Sequence, residues 1–178
     1  MDWNLLYTLI NALVVPAWLL LLFAPRWRTT ALVVHSGIYP LAYGALYTVC
    51  LLASMFFGQS AEGVGMGSIA AISALFDHPN GVIVGWTHYL VFDLFVGAWI
   101  GRDAPRRNIP HVIAAPCMIA SFLFGPVGLL AYMVVRLLRG QGISLFETGE
   151  GGTSQLVDSR GLGAGPPCAG RARIRTPV

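Results

Sequence analysis

Asp93 lies in the apolar string Tyr89-Leu90-Val91-Phe92-Asp93-Leu94-Phe95, where a charged side chain is out of place. At the centre of a membrane helix an Asp costs about 2.5 to 3.5 kcal/mol on insertion scales, so it must face protein, find a partner or carry its proton. His88 stands five residues earlier, about 140° away around a helix, and does not share the face of Asp93. Trp86 and Tyr89, seven and four residues earlier, do share it. If His88 works with Asp93, the two therefore need a common cavity or a bridging water rather than a direct bond within the helix. The other role open to Asp93 is a structural lock. In that role it would be hydrogen-bonded to Tyr39, Tyr43, Tyr47 or Asn11 on a neighbouring helix.

His35, Tyr39 and Tyr43 follow one another at four-residue steps and form one helix stripe. The stripe reads either as the polar wall of a cavity facing Asp93 or as an interfacial His with aromatic packing. Gly97 and Gly101 have the small-residue spacing that lets a second helix cross closely. Asp77-His78 and Arg102-Asp103 read as solvated loops or caps at opposite membrane surfaces. His35, His78, His88 and His111 lack ligand partners one turn away, so no metal site is expected. No phosphate-binding loop or nucleophile elbow is present, and no cofactor is expected. Cys50, Cys117 and Cys168 are too few and scattered for a disulfide framework.

The elements that must carry these residues are membrane helices. Of 178 residues, 56% are hydrophobic and 11% charged, about half the charged share of a soluble domain. Every basic residue is Arg, and the net charge of +3 reflects loop and tail positions rather than nucleic-acid binding. Leu5 to Phe23 is long enough to span a bilayer, although Asn11 and Pro16 interrupt it. Asp2 and the absence of a basic leader mark it as a retained helix rather than a cleaved signal. Thr30 to Phe57 is overlong and is expected to kink at Pro40. After a small-residue loop, Ser68 to Phe76 reads as a short interfacial or re-entrant helix closed by a turn over Asp77 to Gly81. Val82 to Ile100 is the third span. Ile109 to Leu138, broken by Pro110, Pro116 and Pro126, reads as one kinked fourth span rather than two.

The expected fold is thus an all-α polytopic bundle of four transmembrane helices over residues 1–139, with a short interfacial helix. A disordered tail is expected over 140–178, where apolar residues are sparse. An even number of spans puts both termini on one side. Arg26, Arg28, Arg102, Arg106 and Arg107 then make the opposite loops cytoplasmic and the termini external, with Arg136 and Arg139 opposing that count.

The string Trp86-Thr87-His88-Tyr89-Leu90-Val91-Phe92-Asp93-Leu94-Phe95, then Asp103, then Phe124-Gly125-Pro126-Val127-Gly128, resembles the ABA4-like family over roughly Leu5 to Leu138. The family takes its name from a plant chloroplast membrane protein required to make neoxanthin from violaxanthin. The resemblance implies a small four-helix membrane protein linked to carotenoid chemistry. In the plant case an epoxide opens and an allene forms, an isomerisation whose stoichiometry needs no redox cofactor. It implies Asp93 as acid and His88 as base, with Trp86, Tyr89, His35, Tyr39 and Tyr43 lining the substrate. The implied partners are membrane lipid and a carotenoid or other isoprenoid, with a homo-oligomer also open. Without a transit peptide the expected location is a bacterial inner membrane. Two further function classes stay open: a non-enzymatic lipid-binding or assembly protein, and a small proton-linked carrier.

Overall fold

A computed structural model describes residues 2–145, and all the regular elements among them are helices. Of the tail expected over 140–178, residues 146–178 lie outside the described residues. Helix α1 (Trp3–Phe23) starts from an Asp2 cap whose carboxylate accepts the amides of Asn4 and Leu5, and it runs unbroken through Pro16. The overlong second segment divides into α2 (Arg28–Val33) and α3 (Ile38–Phe56). The break falls at Gly37, which takes a left-handed conformation (φ 82°), and not at Pro40. Pro40 sits in the first turn of α3, where a missing amide hydrogen costs no helical bond.

The short α4 (Ile69–Leu75) is capped by Ser68, whose hydroxyl accepts the Ala71 amide. Helix α5 (Pro79–Arg106) is longer than the apolar run that announced it. Part of the expected turn over Asp77 to Gly81 is in fact its first turn. His78 caps it through Nδ1, and Pro79 occupies the first helical position, where a fixed φ and a missing donor are both harmless.

Three stretches are long and apolar enough to cross a membrane: Trp3–Phe23, Arg28–Phe56 and Pro79–Arg106. Together they account for three of the four expected spans. The segment expected as a single kinked fourth span is two separate helices, α6 (His111–Phe124) and α7 (Pro126–Leu138). They are about 21 Å and about 20 Å long against a hydrocarbon core of about 30 Å. Gly125 divides them with φ 54° and ψ −107°, a region that a side chain rarely enters, and Pro126 starts α7.

The direction of the chain at this break is a reversal. A Cβ placed on Gly128 would lie 2.1 Å from the Ser121 amide nitrogen and 2.4 Å from the Cys117 carbonyl oxygen. Along one continuous helix residues 121 and 128 would be about 10 Å apart. Helix α7 therefore packs back along α6, backbone against backbone, and only a glycine allows that approach.

Side-chain contacts fix the order of the bundle. Tyr39 and Tyr43 of α3 donate to the carbonyls of Leu13 and Ile10 in α1, so α3 and α1 run antiparallel. Trp86 bonds Asn11 (3.0 Å) and the Trp18 indole covers Gly97, so α5 runs parallel to α1. The close crossing expected at Gly97 and Gly101 is made by α1, through Trp18 and Leu21. Buried Ile10, Val14, Trp18, Leu21, Leu90, Leu94 and Met118 fill the space between these helices.

All seven arginines of the described residues lie at one end of the bundle. Arg26 and Arg28 join α1 to α2, and Arg102, Arg106 and Arg107 close α5. Arg136 and Arg139 close α7, so they do not oppose the other five. The opposite end carries Asp2, Glu62 and Asp77.

Candidate functional site

Asp93 stands midway along α5 and is 8% exposed. The reversal at Gly125 comes directly onto it: a Cβ on Gly125 would lie 2.9 Å from Asp93 Oδ1 and 3.4 Å from the Tyr89 ring. The tip of the α6–α7 hairpin thus rests on the carboxyl and on the Tyr89 side chain that shares its face. Tyr89 stands one turn before Asp93 on the same helix face. Asp93 Oδ2 is buried and has no hydrogen-bond partner. Trp86 extends the same face, with its ring stacked on Tyr89 at 5.4 Å and beside Tyr7 at 5.7 Å.

His88 is not brought to Asp93. It is exposed on another face of α5, between Tyr47 (5.9 Å between centroids) and Phe92 (4.6 Å). An apolar groove of about 340 Å³, lined by Pro40, Gly44, Val91, Phe92 and Phe95, runs on this other side of α5. The expected stripe of His35, Tyr39 and Tyr43 is not brought to Asp93 either, and it is not one helix face, because His35 lies in the turn before α3. His35 sits at the arginine end, 3.2 Å from Arg102 Nη1. The Tyr39 and Tyr43 hydroxyls are spent on α1 carbonyls.

The four side chains named as lock partners for Asp93 are therefore engaged elsewhere. Tyr39 and Tyr43 hold α1, Asn11 accepts from Trp86, and Tyr47 packs on His88.

A second buried carboxyl shows what a lock looks like in this protein. Asp103, read from the sequence as a solvated cap, is 1% exposed. Both its oxygens lie 2.8 Å from Arg107 Nε, the Tyr132 hydroxyl donates to it at 2.8 Å, and Arg136 Nη1 lies 3.7 Å away. Arg136 is itself fully buried, with its guanidinium over the Trp99 ring at 5.7 Å. The Ser144 carbonyl accepts from Arg136 and Arg107, and Gln141 donates to the Arg107 carbonyl. This cluster holds the open end of the hairpin to α5. Of its members only the Asp103–Arg107 pair, one turn apart, has a local signature; Tyr132 and Arg136 come from 29 and 33 residues away.

Asn80 carries no sequence signal of its role. It is fully buried, and its Nδ2 donates to the Cys50 carbonyl, Ser54 Oγ and the Gln59 carbonyl, tying α5 to the end of α3. No group of three His, Cys, Asp or Glu among the described residues has the geometry of a metal site.

Residues 5–132 match the family model of ABA4-like (ABA DEFICIENT 4-like) proteins. The matched stretch contains Asp93, Gly125, Gly128 and Asp103, and the chain belongs to that family. No curated protein and no solved structure matches it.

Proposed function

We propose that this member of the ABA4-like family is a membrane-embedded enzyme that needs no bound cofactor and isomerises a carotenoid or related isoprenoid lipid by moving a proton at Asp93. The observation that carries this reading is the buried Asp93 Oδ2, which has no hydrogen-bond partner. Burying a polar atom without a partner costs on the order of 1 to 3 kcal/mol, more in hydrocarbon. Asp103, which joins helices, has partners for both its oxygens, and Asp93 does not.

Epoxide opening needs a proton delivered to the ring oxygen, and allene formation needs a proton taken from the chain. A protonated carboxyl can serve both halves, because one oxygen donates while the other accepts. The enzyme then leaves the cycle unchanged, and substrate and product have the same composition. Tyr89 is the neighbouring hydroxyl that passes or steadies the proton, and the Trp86 ring supports the apolar end group. His88 packs on Tyr47 and Phe92, so the proposal leaves it out of the proton transfer.

Pigment profiling of carotenoid-producing hosts with and without the chain tests the reading. The wild type should convert one pigment to an isomer of equal mass, and Asp93→Asn should not, while its melting in detergent matches the wild type. No change in any of several carotenoid backgrounds rejects the reading. A small proton-linked carrier is the second reading, favoured by the same unpartnered carboxyl oxygen. Proton flux into proteoliposomes that disappears in Asp93→Asn, with pigments unchanged, would select it.

A further inference from the structure

We propose that the described residues cross the membrane three times and that α6–α7 is a re-entrant hairpin, entering and leaving through the arginine-bearing side with its Gly125 turn near mid-bilayer. The inference is independent of any catalytic role for Asp93.

Both open ends of the hairpin are fixed at the same end of α5. At its start, the Ile109 amide bonds the Ala104 carbonyl, and His111 Nε2 lies 2.8 Å from the Leu22 carbonyl oxygen at the end of α1. At its finish, Tyr132 and Arg136 meet Asp103. Between these ends the chain reaches Gly125, at Asp93. Asp93 is about 20 Å along the α5 axis from Arg106 and about 21 Å from Pro79. The depth of the turn therefore equals the length of one hairpin arm and half the length of α5.

Irregular backbone at that depth is tolerated only where protein covers it. Gly125 is buried, its amide bonds the Ser121 carbonyl, and its own carbonyl accepts the Gly128 amide. The charges agree. With an odd number of crossings the two ends of the described chain lie on opposite sides, and all seven arginines fall on one of them. The positive-inside rule makes that side cytoplasmic without exception among these residues, whereas a fourth crossing would strand Arg136 and Arg139 outside.

Cysteine labelling in membrane vesicles tests the topology. In a Cys168→Ser background the remaining Cys50 and Cys117 are buried. Thr29→Cys, Gly67→Cys and Gly142→Cys add exposed thiols, and at both glycines an added side chain meets nothing within 4 Å. With a membrane-impermeant maleimide, Thr29→Cys and Gly142→Cys should label only in inverted vesicles, and Gly67→Cys only in right-side-out ones. Val127→Cys, beside the turn, should label in neither. Labelling of Gly142→Cys together with Gly67→Cys, or labelling of Val127→Cys from either side, overturns the proposal. A reporter enzyme active only outside the cell, fused after Gly142, should be inactive and after Gly67 active. Activity after Gly142 overturns the proposal as well, whether or not the cysteine variants fold.

Discussion

Gly125 lies so close over Asp93 that a Cβ there would stand 2.9 Å from Oδ1. Glycine is required at this position twice over, by the contact and by a backbone at φ 54° and ψ −107°. Gly125→Ala is expected to lower stability by about 1 to 3 kcal/mol through backbone strain alone, with the carboxyl contact adding to it. Thermal melting of the detergent-solubilised protein measures this. A melting curve equal to the wild type would mean that the turn does not rest on the carboxyl.

The two buried carboxyls should respond differently to the same substitution. Asp103→Asn removes the counter-charge of a fully buried Arg136, a change that costs about 3 to 5 kcal/mol when one partner of a buried pair is lost. Asp93→Asn removes no ion pair and should shift stability by less than about 1 kcal/mol. Equal losses in the two variants, measured by denaturation side by side, would erase the distinction between lock and reactive group.

At Gly128 the neighbour is backbone, which cannot swing aside. Gly128→Ala places a methyl 2.1 Å from the Ser121 nitrogen and should pry the hairpin arms apart. The expected loss is at least the 1 to 3 kcal/mol typical of overpacking, roughly a lower bound here. Gly142→Ala meets nothing within 4 Å and serves as the control, expected within about 0.5 kcal/mol of the wild type.

Asn80 binds three acceptors with one amide nitrogen. Asn80→Ala leaves buried acceptors at the end of α3 without their donor, and a loss of about 1 to 3 kcal/mol is expected. Hydrogen exchange should show the added opening at residues 50–59 and not in α6 or α7.

Much of this architecture is legible in the sequence, and the reasons divide cleanly. Helices α1, α3 and α5 announce themselves by apolar length, and α4 by a short apolar stretch between turn residues. Asp93 facing protein follows from the cost of facing lipid. Pro126 is one of three prolines read as break points; the chain does break before it, but α6 runs unbroken through Pro116. The path of the chain beyond Pro126 is not legible, because hydropathy records that a chain is apolar and not which way it runs. A kink and a reversal at Gly125 have the same composition, and the contact that decides between them joins Gly128 to Ser121 and Cys117. The same limit hid the Asp103 cluster, whose partners on α7 are distant in sequence. It hid the roles of Tyr39 and Tyr43 for another reason: their hydroxyls bond backbone carbonyls, which every residue possesses.

The Asp103–Arg136 contact has a consequence for biogenesis. An arginine at the centre of a membrane helix resists insertion by about 2.5 to 3.5 kcal/mol, and one in the last turn, as Arg136 is, by less. Its counter-charge resides in α5, so the hairpin gains this pair only after α5 has been laid down. On the three-crossing topology the hairpin then slides in from the side on which it was synthesised. Among the described residues, only the start of α1 and the loop between α3 and α5 must be translocated, and both are free of arginine.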